Sequence, residues 1–145
     1  MSVPAMFNHT LQQTADWLKS LGGEETINTE KRAYAALRAV LHQLRDRLTV
    51  EEATDLGAQL PLLVRGIYYE NWNPAKTPEK VRRDEFILGV EEKLDGHPEI
   101  DAEEAIRATF RVLSEKVTPG EIEEVIGMLP KDMRDLWPSQ SSGSA

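Results

Sequence analysis

Three histidines, His9, His42 and His97, fall in three different segments of the chain. None forms an HxxxH or HExxH pair, the spacing that puts two metal ligands on one helical face. Each therefore reads as an exposed or locally bonded side chain. Carboxylates are plentiful, with Glu51 and Glu52 in one stretch and Glu121, Glu123 and Glu124 in another. They sit where helices should begin, and there negative charge meets the positive end of the helix dipole. That placement reads as a solvated face rather than an acid–base pair, and no ExxH motif suggests a diiron site. The chain has no cysteine, which excludes a disulfide, a thiolate zinc site, an iron–sulfur cluster and a thiol nucleophile. Its nine glycines are scattered, so no phosphate-cradling loop is present. No catalytic residue, metal site or cofactor is expected, and the chain does not read as an enzyme.

The elements that would position these groups are helical. Phe7, Leu11, Thr14/Ala15 and Leu18 recur at helical steps, and Gly22-Gly23 should end that helix in the left-handed conformation. Thr29 can cap a second helix whose apolar face is Ala33, Leu37, Val40/Leu41, Leu44 and Leu48. Thr49-Val50-Glu51-Glu52, Asp101-Ala102-Glu103-Glu104 and Thr118-Pro119-Gly120-Glu121 read as capping boxes. Pro61 and Pro130 suit first turns. Asn71 to Lys80 reads as a loop. Phe86, Val90 and Leu94 mark a fifth helix, and Ala105/Ile106, Thr109/Phe110 and Leu113 a sixth. No stretch alternates as a strand would.

Residues 36–65 align without gaps on 105–134, an offset of 69, with nine identical pairs in 30. Unrelated sequence of ordinary composition would give about two. The identities include Arg38/Arg107, Thr49/Thr118, Glu52/Glu121, Leu60/Leu129, Pro61/Pro130 and Arg65/Arg134. The expected fold is all-α: two tandem four-helix units, 1–72 and 73–138, packed into one domain, with 139–145 a flexible tail. The duplicated arginines suggest structural ion pairs, Arg38 or Arg65 with Glu52 and Arg107 or Arg134 with Glu121. Their functional alternative is an anion site in a cleft between the units, near Arg65 and Arg134.

The stretch from Leu48 through Gln59-Leu60-Pro61 to Arg65-Gly66-Ile67-Tyr68-Tyr69-Glu70-Asn71-Trp72 resembles the domain of unknown function 2267 family. That family's pattern is an Ala-rich helix, a Leu-Thr cap, a QLP…RG.YYE.W string, a Pro-bearing loop and a helix opening with Phe, all present in this order. The resemblance spans about residues 5–138. It implies an all-helical bacterial protein with no established activity, and it supplies no catalytic residues. Arg134-Asp135-Leu136-Trp137 lacks the Gly and the paired Tyr, so a function seated at 65–72 would occur once per chain.

Arg65, Tyr68, Tyr69, Glu70 and Trp72 form the candidate interaction patch, because aromatics beside an arginine make interface anchors. The competing structural reading has Tyr68 and Trp72 covering the core, with Tyr69 partly exposed and Trp72 well buried. Over 145 residues the net charge is −8, with 40% hydrophobic and 29% charged residues. Residues 95–145 hold 5 basic and 11 acidic side chains. Nucleic acid is therefore an unlikely partner, and no apolar run is long enough to span a membrane. The expected role is a non-catalytic cytoplasmic protein acting through protein–protein contact, a homodimer included. The alternative is a small-ligand or anion-binding regulator.

Overall fold

The computed structural model describes residues 3–139, so the expected tail, apart from Ser139, lies outside the described residues. Seven α-helices follow one another: α1 (Asn8–Leu21), α2 (Glu30–Arg45), α3 (Val50–Ala58), α4 (Leu62–Tyr69), α5 (Arg83–Lys93), α6 (Ala102–Lys116) and α7 (Pro119–Gly127). Short 3-10 segments occupy Ala5–Phe7, Glu25–Ile27, Pro74–Lys76 and Lys131–Leu136. No strand occurs among the described residues, and the fold is all-α as expected. No helix among them is long and apolar enough to cross a membrane.

The helix starts follow their caps only in part. The Thr29 and Thr49 side chains accept from Arg32 N and Glu52 N, each at 3.1 Å, and Asp101 Oδ2 accepts from Glu104 N at 2.9 Å. The return half of each expected box is missing: none of Glu52, Glu104 and Glu121 bonds its own cap N–H. Glu104 Oε1 accepts from Thr26 Oγ1 at 2.8 Å and ties α6 to the Glu25–Ile27 turn. Glu52 and Glu121 face the α3–α7 contact instead. Thr118 makes no cap bond; it and Gln59 bond each other twice, Thr118 N to Oε1 at 2.9 Å and Nε2 to Thr118 Oγ1 at 3.0 Å. Pro61 and Pro130 stand one residue before their helical segments, at the cap. The last segment winds as a 3-10 helix. Gly22 ends α1 at φ −69°, not left-handed, with its N–H bonded to Leu18 O at 3.0 Å.

α2 and α6 pack against each other at the centre. α1 lies against both and against α4, α5 lies against both from its own side, and α3 packs on α7. One core runs from Trp17 to Trp137 through all seven helices. Phe110 stacks on Trp137 with ring centroids 3.9 Å apart. The expected faces of α5 and α6 are the buried ones. α1 is turned from its expected face: Thr14, Trp17 and Leu21 are buried, while Phe7 and Leu11 are exposed. Its contacts with three neighbours select that stripe over the overlapping one.

α2 departs most from a simple amphipathic reading, because residues 39–45 are buried without a break. Its polar members each have a partner on another element. His42 Nε2 lies 2.7 Å from Ile67 O, so this nitrogen carries the proton and donates. Gln43 Nε2 donates to Phe86 O at 3.3 Å and Oε1 accepts from Lys93 at 2.7 Å. Arg45 Nη1 donates to Tyr68 O at 2.8 Å and Glu70 O at 2.7 Å. His42 is thus neither exposed nor locally bonded. At and just past the end of α4, α2 supplies donors to the carbonyls of Ile67, Tyr68 and Glu70.

Candidate functional site

The Arg65–Trp72 stretch spans α4 and the turn after it. Gly57, on α3, has no side chain, and the Tyr69 ring occupies the space that a Cβ would need. Tyr68 is fully buried and donates from its hydroxyl to Ala53 O at 2.7 Å. Burial also pushes its pKa well above the ordinary phenol value. Tyr68, Tyr69 and Trp72 form a chain of rings, with centroids 4.9 and 5.3 Å apart. Asn71, at φ 58°, turns the chain out of α4. Tyr69 and Trp72 are half-buried against the core, so Trp72 is less buried than the cover reading expected.

Arg65 is not an anchor waiting for a partner. Its Nε donates to Gly57 O and its Nη2 to Leu60 O, each at 2.9 Å, so the guanidinium is held by carbonyls at and just after the end of α3. Of the candidate patch, Tyr68 is sealed from any partner and Arg65 is committed within the fold. Glu70, Tyr69 and Trp72 keep some exposed surface.

The expected arginine–glutamate pairs do not form. Arg38 Nε pairs with Glu70 Oε1 at 2.8 Å. Arg107 pairs with Glu103 at 2.9 Å and Asp135 at 3.1 Å. Arg134 is exposed. It sits in the 3-10 segment Lys131–Leu136, whereas Arg65 sits in an α-helix. Nor do Arg65 and Arg134 share a cleft. Arg65 lines a groove with His9, Trp17, Gln59 and Lys116, while Arg134 lines a separate depression with Ile126 and Trp137.

Glu52 and Glu121 meet each other instead. α3 carries Glu52 and Asp55 three residues apart, on one helical face. α7 presents Glu121 and Glu124 at the same spacing, and α3 packs on α7. One carboxylate oxygen from each of the four lies within 4.8 Å of the others. Glu52 and Glu121 are buried, 5% and 9% exposed, and Asp55 and Glu124 are open to solvent. Burial first, then the neighbouring Glu52, Glu124 and Asp55, push the Glu121 pKa above the carboxylate range. Glu124 is raised too, chiefly by Glu52. Such a group can share a proton or hold a cation. Asp55 was missed by the sequence reading. The signal was available: Glu52/Glu121 and Asp55/Glu124 both match at the offset of 69.

Fold and site define a small all-helical protein whose concentrated charge lies where two short helices meet. The chain belongs to the family described as "Uncharacterized conserved protein (DUF2267)", whose model matches residues 14–136. No curated protein matches the chain.

Proposed function

We propose that this is a non-catalytic cytoplasmic protein that acts by protein–protein contact, with a second copy of itself as the partner. The observation that carries this is an apolar edge formed by the Ala5–Phe7 turn, the start of α1 and the first turn of α4. Met6 (80% exposed), Phe7 (43%), Leu11 (40%), Leu62 (59%) and Leu63 (39%) all project there. Leu63 N donates to Thr10 Oγ1 at 2.9 Å, which locks the two helix starts side by side. Contiguous exposed apolar side chains of this size mark contact surfaces. Charge favours self-association through this edge. Residues 1–72 carry a net −2 and 73–145 a net −6, so pairing through the first half keeps the acidic halves apart.

The same reading takes the molecule as two tandem four-helix units, 1–72 and 73–138. In its support, α3 and α7 are each nine residues long, 69 residues apart, and pack on each other. Exchanging the halves also turns the α1–α6 contact into the α5–α2 contact, and both occur. The alternative, an anion-binding regulator, draws its support from the groove where Arg65 and Lys116 bring cations from the two halves together.

Sedimentation equilibrium tests the main reading. At about 100 µM chain, a Kd near 10 µM leaves most chains paired. Wild type should sediment as a dimer and Met6→Glu/Leu62→Glu as a folded monomer. A monomeric wild type, or a dimeric variant, refutes it.

A further inference from the structure

We propose that Glu52, Asp55, Glu121 and Glu124 form a site for a divalent cation of calcium size, held between α3 and α7. The four oxygens lie within 4.8 Å of one another. Calcium takes its oxygen ligands in flexible geometry, with opposite ligands up to about 4.6–5.2 Å apart, so oxygens all within 4.8 Å of one another can share one ion. Magnesium demands near-ideal octahedral geometry and gives up its water reluctantly, so side-chain oxygens fixed on two helices suit it less.

Acidic clusters are common on protein surfaces, but this one is partly inside. Glu52 and Glu121 are more than nine-tenths buried, and each has a buried Oε2 with no hydrogen-bond partner. Buried charge without a partner is costly. Among the described residues no lysine, arginine or histidine pairs with any of the four. The arginines that the sequence offers as counter-ions are placed elsewhere, Arg38 on Glu70, Arg65 on the α3 carbonyls and Arg107 on Glu103 and Asp135. A cation would satisfy both orphaned oxygens at once. The exposed Asp55 and Glu124 give it an entry side, where water can complete the coordination shell.

The ligands come in pairs from helices 69 residues apart, so binding would clamp the two halves of the chain together. A proton shared between Glu52 and Glu121 is the competing occupant. It needs no metal and leaves the protein indifferent to calcium.

The test is calorimetric titration and thermal melting of the full chain, freed of metal, with calcium chloride and then magnesium chloride at pH 7.5. Calcium should bind one per chain with a Kd of about 10⁻⁵–10⁻⁴ M, and magnesium at least about tenfold more weakly. Saturating calcium should raise Tm by about 4–8 °C. Glu52→Gln/Glu121→Gln keeps the shape and removes like charge, so it should fold and lose the calcium shift. No saturable calcium binding by folded wild type, magnesium binding tighter than calcium, or a calcium shift that survives in the double variant would each overturn the proposal.

Discussion

Replacing Arg45 by Met tests whether the polar residues inside α2 hold α4 in place. The side chain is only 3% exposed, and its Nη1 serves two carbonyls, Tyr68 O at 2.8 Å and Glu70 O at 2.7 Å. Its Nε also pairs with Asp46 at 2.9 Å. A hydrogen bond to a charged group contributes about 1.5–3 kcal/mol, and a carbonyl stranded in the interior adds its own desolvation cost. The two carbonyl bonds together should be worth about 3–4 kcal/mol. Asp46 stays within reach of water, so losing its partner should add about 0–1 kcal/mol. Met keeps most of the buried hydrocarbon. Arg45→Met should therefore cost about 3–5 kcal/mol in urea melts, a large part of the about 5–15 kcal/mol that holds a domain of this kind. Arg38→Met is the internal control. It reaches the same Glu70, but through the side chain, and both partners are over a third exposed. Its cost should stay below about 1 kcal/mol. Equal losses in the two variants, or a loss below about 1 kcal/mol for Arg45→Met, would refute the claim that burial decides between these arginines.

Gly57→Ala drives a Cβ into the Tyr69 ring and Gly89→Ala drives one into the buried Gln43 amide; each should lose about 1–3 kcal/mol in denaturant melts, and Tyr69→Ala should restore most of the Gly57 loss but none of the Gly89 loss. Burial, which outweighs its bond to Ile67 O, lowers the His42 pKa below 6.5, with Arg45 and Arg38 also lowering it and Glu70 opposing them. His42 therefore adds stability that is present above pH 6.5 and lost as pH falls through the folded value. The upward shift of Glu121 acts with the opposite sign, so the measurement is the difference between wild type and His42→Gln, which should narrow between pH 7 and pH 5; a constant difference would contradict the shift. Gln59→Ala removes both bonds to Thr118. Both bonds lie exposed, so it should cost about 0.5–1.5 kcal/mol, read by the same melts.

What was legible in the sequence is what local chemistry decides. Thr29, Thr49 and Asp101 cap their helices because a short oxygen beside a free N–H needs no help from the rest of the chain. Phe86, Val90, Ile106, Phe110 and Leu113 recur on stripes that bury as expected. The misreadings arise where tertiary partners compete with local ones. Glu52 and Glu104 could have closed their capping boxes, but Glu104 bonds Thr26 instead and Glu52 lies at the contact of α3 with α7. On α1, two overlapping stripes share Thr14, and only the packing of α2, α4 and α6 decides that Trp17 goes in and Phe7 stays out. His42, Gln43 and Arg45 bond to carbonyls 23 to 43 residues away, which no spacing rule marks. Arg65 and Glu52 do not pair: Arg65 is held by carbonyls at and after the end of α3, and Glu52 lies at the contact with α7.

The two treatments of orphaned polar groups in this molecule explain each other. Carbonyls at the ends of α3 and α4 each receive an arginine from the same half of the chain, Arg65 for the first and Arg45 for the second. Those guanidiniums are then unavailable to the carboxylates of α3. A shared apolar contact between α3 and α7 would have been served by leucine at 52 and 121, since replacing buried charges by well-packed hydrophobic residues is commonly neutral or stabilising. Four carboxylates stand there instead, two of them buried, while Ile122, Val125 and Ala53 beside them pack conventionally. A fold that turns arginines onto its carbonyls, yet gathers carboxylates where α3 meets α7, leaves that contact without a counter-charge of its own. That arrangement becomes intelligible once a positive charge from outside the chain completes it.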